Sequence, residues 1–281
     1  MRFPRSWILI SLCFFLPALS QAAITFPSLN QNDFNNVVKE LSSDMNYHVP
    51  VPASSLGSVW GFELGVVGGV TNTPDIQTLV NNAGASTKVS VLPHASVVGR
   101  LGLPYGITGE LAVLPTITAS SVHLREVGGA VQWTLTDVVL TDLPVTLAVK
   151  GFYNSTHLDF SQTINNSTTS NIPVAATVNF DDKIMGGQLL ISKKIEFFEP
   201  YLGIGVIKAD GTLSVSSTSS TATILGFTIP GQSSAQSAGS KPSDTQLLAG
   251  FDLRFGFFCL GAEIDRVFGR NSGTGRLSFR F

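Results

Sequence analysis

The stretch Gly273-Thr-Gly-Arg-Leu-Ser-Phe-Arg-Phe281 decides how the rest of the chain reads. Gly275, Leu277, Phe279 and Phe281 alternate with Thr274, Arg276, Ser278 and Arg280. Successive side chains of a strand point to opposite faces. Folded as a strand, this segment is apolar on one face and polar and cationic on the other.

The same period of two recurs upstream. Trp60, Phe62, Leu64 and Val66 oppose Gly61, Glu63 and Gly65. Val97 and Leu101 oppose Ser96 and Arg100, and Leu111 and Val113 oppose Glu110 and Ala112. Val127, Val131 and Trp133 oppose Glu126 and Gln132, while Val149 and Tyr153 oppose Lys150 and Asn154. Leu189 and Ile191 oppose Gln188, Ser192 and Lys194, and Ile204 and Val206 oppose Gly203 and Gly205. Phe251, Leu253 and Phe255 oppose Asp252 and Arg254, and Leu260, Ala262 and Ile264 oppose Glu263 and Asp265. With the terminal segment this predicts about ten strands, eight or twelve being the alternatives.

The first residues are an address. Arg2 and Arg5 precede an apolar run from Trp7 to Leu19, and Ser20-Gln21-Ala22 offers small residues to a signal peptidase. Residues 1–22 read as a secretory signal peptide cleaved after Ala22. Of the two cysteines, Cys13 lies in that leader, which leaves Cys259 with no intramolecular partner. Charged residues make up 13% of the chain, about half the usual fraction for a soluble domain. Beyond the leader no apolar run approaches the length of a membrane helix. The net charge of −2 gives no electrostatic case for nucleic acid.

An exported chain of low charge whose last strand ends on Phe281 resembles bacterial outer-membrane β-barrels. The resemblance implies an all-β fold: a closed antiparallel up-and-down transmembrane barrel in the outer membrane of a Gram-negative cell. It also implies that Leu277, Phe279 and Phe281 form the segment read by the barrel-assembly machinery, and that outer-membrane lipid surrounds the wall. The turn pattern is similar, more loosely, to a family of uncharacterised outer-membrane barrels, from which no activity carries over.

Connections test that expectation. Short turns are predicted at Pro104-Tyr105-Gly106, Asp142-Leu143-Pro144, Phe198-Glu199-Pro200 and Gly256 to Phe258. Longer links are predicted at 71–88, 154–183, 210–244 and 269–273, with a moderate one at 115–122. Outer-membrane barrels alternate short periplasmic turns with longer outer loops in this way. Residues 172–180 could extend a hairpin, and Thr73-Pro74-Asp75 begins a short capped helix. Ahead of the barrel (57–281), residues 23–56 read as a periplasmic helix and tether. Phe34, Val37, Val38 and Leu41 have helical spacing over 32–43, with Asn30 or Asn32 as cap. That helix either plugs the barrel or lies across its periplasmic mouth.

Glu63, Arg100, Glu110, Glu126, Lys150, Lys194, Asp252, Arg254, Glu263, Asp265, Arg276 and Arg280 all fall opposite the apolar stripe. A cation facing lipid near the midplane costs about 2–4 kcal/mol, so these residues are expected to line a lumen. Two functions follow: a narrow pore or small-solute conduit tuned by those charges, or a filled barrel presenting long outer loops to a partner. A rim hydrolase using His157 with Asp159, Asp181 and Asp182 is the weakest reading. No His-Glu-x-x-His or Gly-x-Ser-x-Gly pattern is present, so no enzyme, metal site or cofactor is expected.

Overall fold

The computed structural model describes residues 31–57, 60–82, 89–119, 122–165, 173–217, 222–224, 227–229 and 235–281. The leader, residues 1–22, lies outside the described residues. Helix α1 (Gln31–Asp44) comes first, then strand β1 (Phe62–Asn72) and helix α2 (Pro74–Asn82). Strands β2 (Val91–Gly102), β3 (Ile107–Ala119), β4 (Val122–Thr134), β5 (Thr146–Asn165), β6 (Pro173–Ser192) and β7 (Phe198–Ser217) follow. Next come β8 (Ala222–Ile224), β9 (Phe227–Ile229) and β10 (Ala235–Ser240), and then β11 (Ser243–Phe255), β12 (Phe258–Val267) and β13 (Arg270–Arg280). Among the described residues no helix is long and apolar enough to cross a membrane.

Strands β1 to β7 and β11 to β13 close into a 10-strand antiparallel barrel. The ring is sealed where β13 meets β1, with Leu64 opposite Phe279 and Glu63 opposite Arg280. Closure leaves no unpaired edge, as a backbone in hydrocarbon requires. Phe62 and Phe281 exchange backbone hydrogen bonds at what we term the terminal end. The opposite, loop end carries α2 and the long connections.

The exterior is an apolar belt. In β1 the outward set runs from Phe62 to Val70, about 20 Å along the axis at a typical strand tilt, close to the roughly 25 Å band of membrane barrels. Outward charge begins only past that belt, toward the loop end, with Arg125, His157, Lys183, Lys208 and Arg266 exposed. Leu277, Phe279 and Phe281 lie on the outer wall, where Phe279 packs against Phe257 and Phe258.

Four connections differ from expectation. Residues 154–183 are mostly strand, because β5 and β6 are twenty residues each and pair out to Asn165 and Pro173. With β7 and β10 they form a sheet that rises past the barrel rim. The link at 269–273 is β13 itself, and the turn is Phe268-Gly269, both with positive φ. The turn placed at Phe198 to Pro200 belongs to β7, and the chain reverses at Lys193 to Phe197 instead. The moderate link after Pro115 is strand as far as Ala119, with a register shift between Leu114 and Ile117, and residues 120–121 lie outside the described residues. Residues 218–221, 225–226 and 230–234 of the predicted long link lie outside the described residues.

Candidate functional site

The lumen is occupied by the chain itself. Helix α1 sits in the loop-end mouth, not at the terminal end. Its apolar stripe of Phe34 and Val38 joins Phe180, Ile184, Ile207 and Leu213 of β6 and β7 in one buried cluster. A Cβ at Gly211 would come within 2.7 Å of Val38 Cγ1, so the glycine makes room for the helix. Glu40 anchors α1 to the rim. It accepts from the N–H groups of Asp75 and Ile76 at 2.7 and 2.8 Å and pairs with Arg270 Nε at 2.9 Å. Burial pushes the Glu40 carboxyl above the usual range, against those donors. Arg270 also pairs with Asp75.

From Met45 to Gly57 the chain descends the lumen as an extended strap. Asn154 Nδ2 donates to the Met45 carbonyl at 2.6 Å. Tyr47 stacks on Phe152 at 5.7 Å and donates its hydroxyl to Glu110 at 3.2 Å. A Cβ at Gly128 would meet the Tyr47 ring at 2.9 Å. The His48 ring stacks on His94 at 4.1 Å and donates from Nε2 to the Ser43 carbonyl at 2.9 Å. His94 in turn contacts Asp44 at 3.1 Å and Thr274 at 2.9 Å. The void beside this stack is about 10 Å³, room for about one water. Lower down, Gln132 Nε2 donates to the Pro52 and Ala53 carbonyls at 3.1 Å each, and Thr134 donates to Ala53 at 2.8 Å. Ser54 donates to Glu199 and accepts from Arg254, and Ser55 donates to Asp137 at 2.6 Å. Pro50 and Pro52 have no backbone N–H, which removes two donors that a buried extended segment would otherwise have to satisfy.

Around the lower strap the wall charges form a ribbon. Lys150 pairs with Glu110 at 2.7 Å, and Glu110 with Arg100 at 3.0 Å. Arg100 and Arg276 both pair with Glu63, at 3.1 and 2.6 Å, and Arg280 joins at 3.0 Å. Arg276 continues to Asp252 at 2.6 Å, Asp252 to Arg254 and Arg254 to Glu199, each at 2.8 Å. A second string runs from Gln188 through Gln246 to Asp265. Tyr201 donates to Glu263 at 2.9 Å, and Glu126 accepts from Asn154 at 2.9 Å. Every ion pair of the ribbon is wall to wall, so the strap carries none of its charge.

The structure thus brings together Glu63, Arg100, Glu110, Lys150, Asp252, Arg254, Arg276 and Arg280. Glu126, Glu263 and Asp265 lie further up the wall. Lys194 is a correction: it falls past the end of β6, in the exposed terminal-end turn, because the strand stops at Ser192. Glu199, which closes the ribbon, escaped sequence reasoning by sitting in a predicted turn. His157 contacts Asp159 at 2.9 Å and Asp181 at 2.6 Å on the exposed outer face, whereas Asp182 is buried on the inner one. Three of the four residues named for a rim hydrolase therefore meet on the outer face, and Asp182 does not join them. Among the described residues no group of three or more His, Cys, Asp or Glu side chains is placed to hold a metal ion.

An apolar belt outside, an ionic ribbon inside and a closed ladder define a transmembrane β-barrel with a filled lumen. The chain belongs to a family of unknown function, DUF6588, whose profile matches residues 15–267. No curated protein matches it. Among solved structures it is similar to Ail of Yersinia pestis in complex with the heparin analogue sucrose octasulfate, at 12% identity, over 79% of this chain and 97% of that one, with a TM-score of 0.29. It is also similar to the translocator domain of the autotransporter NalP from Neisseria meningitidis, at 12% identity, over 89% and 95%, with a TM-score of 0.42.

Proposed function

We propose that the protein is an outer-membrane barrel closed by its own N-terminal segment, a scaffold that holds the sheet of β5, β6, β7 and β10 beyond the membrane for contact with an outside partner. The occupied lumen carries this reading. The strap runs from Met45 to Gly57, about 40 Å when extended, longer than the roughly 25 Å apolar band of such barrels. It is bonded to the wall at Asn154, Glu110, Gln132, Thr134, Glu199 and Asp137. The void beside it at the His48–His94 stack is about 10 Å³, too small for a solute larger than water. Planar-bilayer recording of the intact protein is the test: no stepwise conductance is expected, and steady channels would overturn the reading.

One observation favours a gated conduit as the second reading. Because the ribbon pairs only within the wall, withdrawing the strap would leave no ribbon charge without its counter-charge. A conduit of that kind would conduct when residues 31–57 are deleted and would pass small ions past the Glu63–Arg100–Arg276 cluster. A deleted barrel that keeps heat-modifiable mobility yet stays silent would exclude it.

A further inference from the structure

Followed backwards from β1, the chain enters its own lumen at the terminal end and leaves it at the loop end. Connectivity allows no other path. Gly57 lies beside Trp60, whose N–H bonds to the Gly102 carbonyl, and β1 starts at Phe62 against Phe281. Ser55 touches Asp137 at the foot of β4, and Ser54 touches Glu199 at the foot of β7. Reading backwards, Pro52, Tyr47 and Met45 climb the wall. Ser43 reaches the carbonyl of Val267, the last residue of β12, at 3.4 Å. Glu40 grips Arg270, the first residue of β13, and the start of α2. Four residues into α1 Phe34 is fully buried, whereas Asn32 is exposed. The helix start therefore points out of the loop-end mouth.

We infer that the barrel has carried its own N-terminal segment across the membrane, so that the start of α1 is presented on the outer surface of the cell. The lumen is then a binding site whose ligand class is an extended polypeptide. Gln132 and Thr134 read its backbone carbonyls. Val67, Val98, Ala112 and Phe152 pack in one cluster with the alternate side chains Tyr47, Val49 and Val51. The wall makes no ion pair with residues 45–57 beyond the His48–Asp265 approach at 3.8 Å, so the site selects by shape and backbone bonding more than by charge. The outward direction rests on the outer-membrane placement proposed above, with the terminal end in the periplasm.

The test is labelling with a bulky, membrane-impermeant maleimide, in a background with Cys13 and Cys259 replaced by Ala. Three single variants are compared on intact cells and after outer-membrane permeabilisation: Asn32→Cys at the start of α1, Asn82→Cys at the end of α2, and Tyr105→Cys in a terminal-end turn. Tyr105 is 76% exposed, so its silence in intact cells would reflect sidedness. Asn32→Cys and Asn82→Cys should label fully on intact cells, and Tyr105→Cys only after permeabilisation. If Asn82→Cys and Tyr105→Cys separate as stated but Asn32→Cys follows Tyr105→Cys, the inference is wrong while the membrane placement survives. If the two controls do not separate, or separate in reverse, the placement fails and the inference with it. Should Asn32→Cys lose heat-modifiable mobility, an epitope inserted ahead of Gln31 serves in its place. Antibody binding on intact cells supports the inference, and binding only after permeabilisation overturns it.

Discussion

The two halves of the lumen are held by different physics. The terminal half is ionic and densely paired, although Arg100 Nη2, Thr108 Oγ1 and Gln132 Oε1 are buried there without a hydrogen-bond partner. Glu63 alone meets Arg100, Arg276 and Arg280, and accepts from Ser278 at 2.8 Å. The loop half is apolar with loose polar ends: Phe34, Val38, Phe180 and Leu213 pack together, yet Asn46 and Thr156 have buried polar side-chain atoms without a hydrogen-bond partner, and Asp182 is buried with no cation paired to it among the described residues. The terminal half therefore fixes the barrel, and the loop half holds only the helix. A segment built to leave would be expected to start leaving from the second.

The largest effect should come from the ribbon. Glu63→Ala takes one counter-charge from Arg100 and Arg276, which keep Glu110 and Asp252, and removes the carboxylate paired with Arg280; breaking a buried pair by removing one partner costs about 3–5 kcal/mol. The unfolding free energy of the barrel from urea titration in detergent should fall by that amount. A loss under about 1 kcal/mol would mean that solvent or the strap screens these charges, and the contrast between the halves would collapse.

Phe34→Ala strikes the other half. The side chain lies in the apolar cluster, and such truncations cost about 3–5 kcal/mol. Here the loss should fall on the docking of α1 and leave the barrel alone. Protease should cut residues 31–45 far faster in the variant, while the barrel's unfolding free energy in urea moves by less than about 1 kcal/mol. Equal losses in both readouts would show that helix and wall unfold as one unit.

The outer wall was open to sequence reading because lipid and lumen impose one rule on every second residue. Val206 is 67% exposed and its neighbour Ile207 is fully buried. The terminal Leu277, Phe279 and Phe281 obey the same rule, as do the inward charges of β1, β2, β3, β5, β11 and β13. The strap followed no period, and Val49-Pro50-Val51-Pro52 reads equally as tether or plug. Its imprint on the wall was nonetheless present. Val66-Val67, Val97-Val98, Leu189-Leu190, Val206-Ile207 and Leu247-Leu248 are adjacent apolar pairs. At those levels both faces are apolar, which a water-filled lumen does not require. Gly128 and Gly211 mark where Tyr47 and Val38 press closest. The heights of β5, β6 and β7 were hidden for a different reason. Their outer parts are Ser- and Thr-rich, a composition that suits a paired strand above the membrane as well as a loop.

Gln132→Ala is the middle-sized probe. It removes the donor to the Pro52 and Ala53 carbonyls and leaves Thr134 on Ala53. At about 1 kcal/mol for each net hydrogen bond, the strap should loosen by about 2 kcal/mol while the ribbon stays intact. Amide hydrogen exchange across residues 49–56 should rise about thirtyfold with the barrel's unfolding free energy nearly unmoved. Unchanged exchange would show that packing of Tyr47 and Val51, rather than carbonyl recognition, holds the strap.

The smallest effect, and the one of opposite sign, belongs to Asp182. The Asp182 carboxylate is buried with no cation paired to it among the described residues, and burying an unpaired charge is a cost. Asp182→Asn keeps the shape and removes the charge, so the barrel should be unchanged or more stable by about 1 kcal/mol at pH 7, read from the same urea titration. Glu63 and Asp182 are both acidic, both buried and both on the inner wall, yet their neutralisation should move stability in opposite directions. That difference follows from partners alone: three guanidiniums at one end, none at the other. A loss at Asp182 comparable to that at Glu63 would mean that the loop half holds a cation or donor in the cell, and that this half is the more selective of the two.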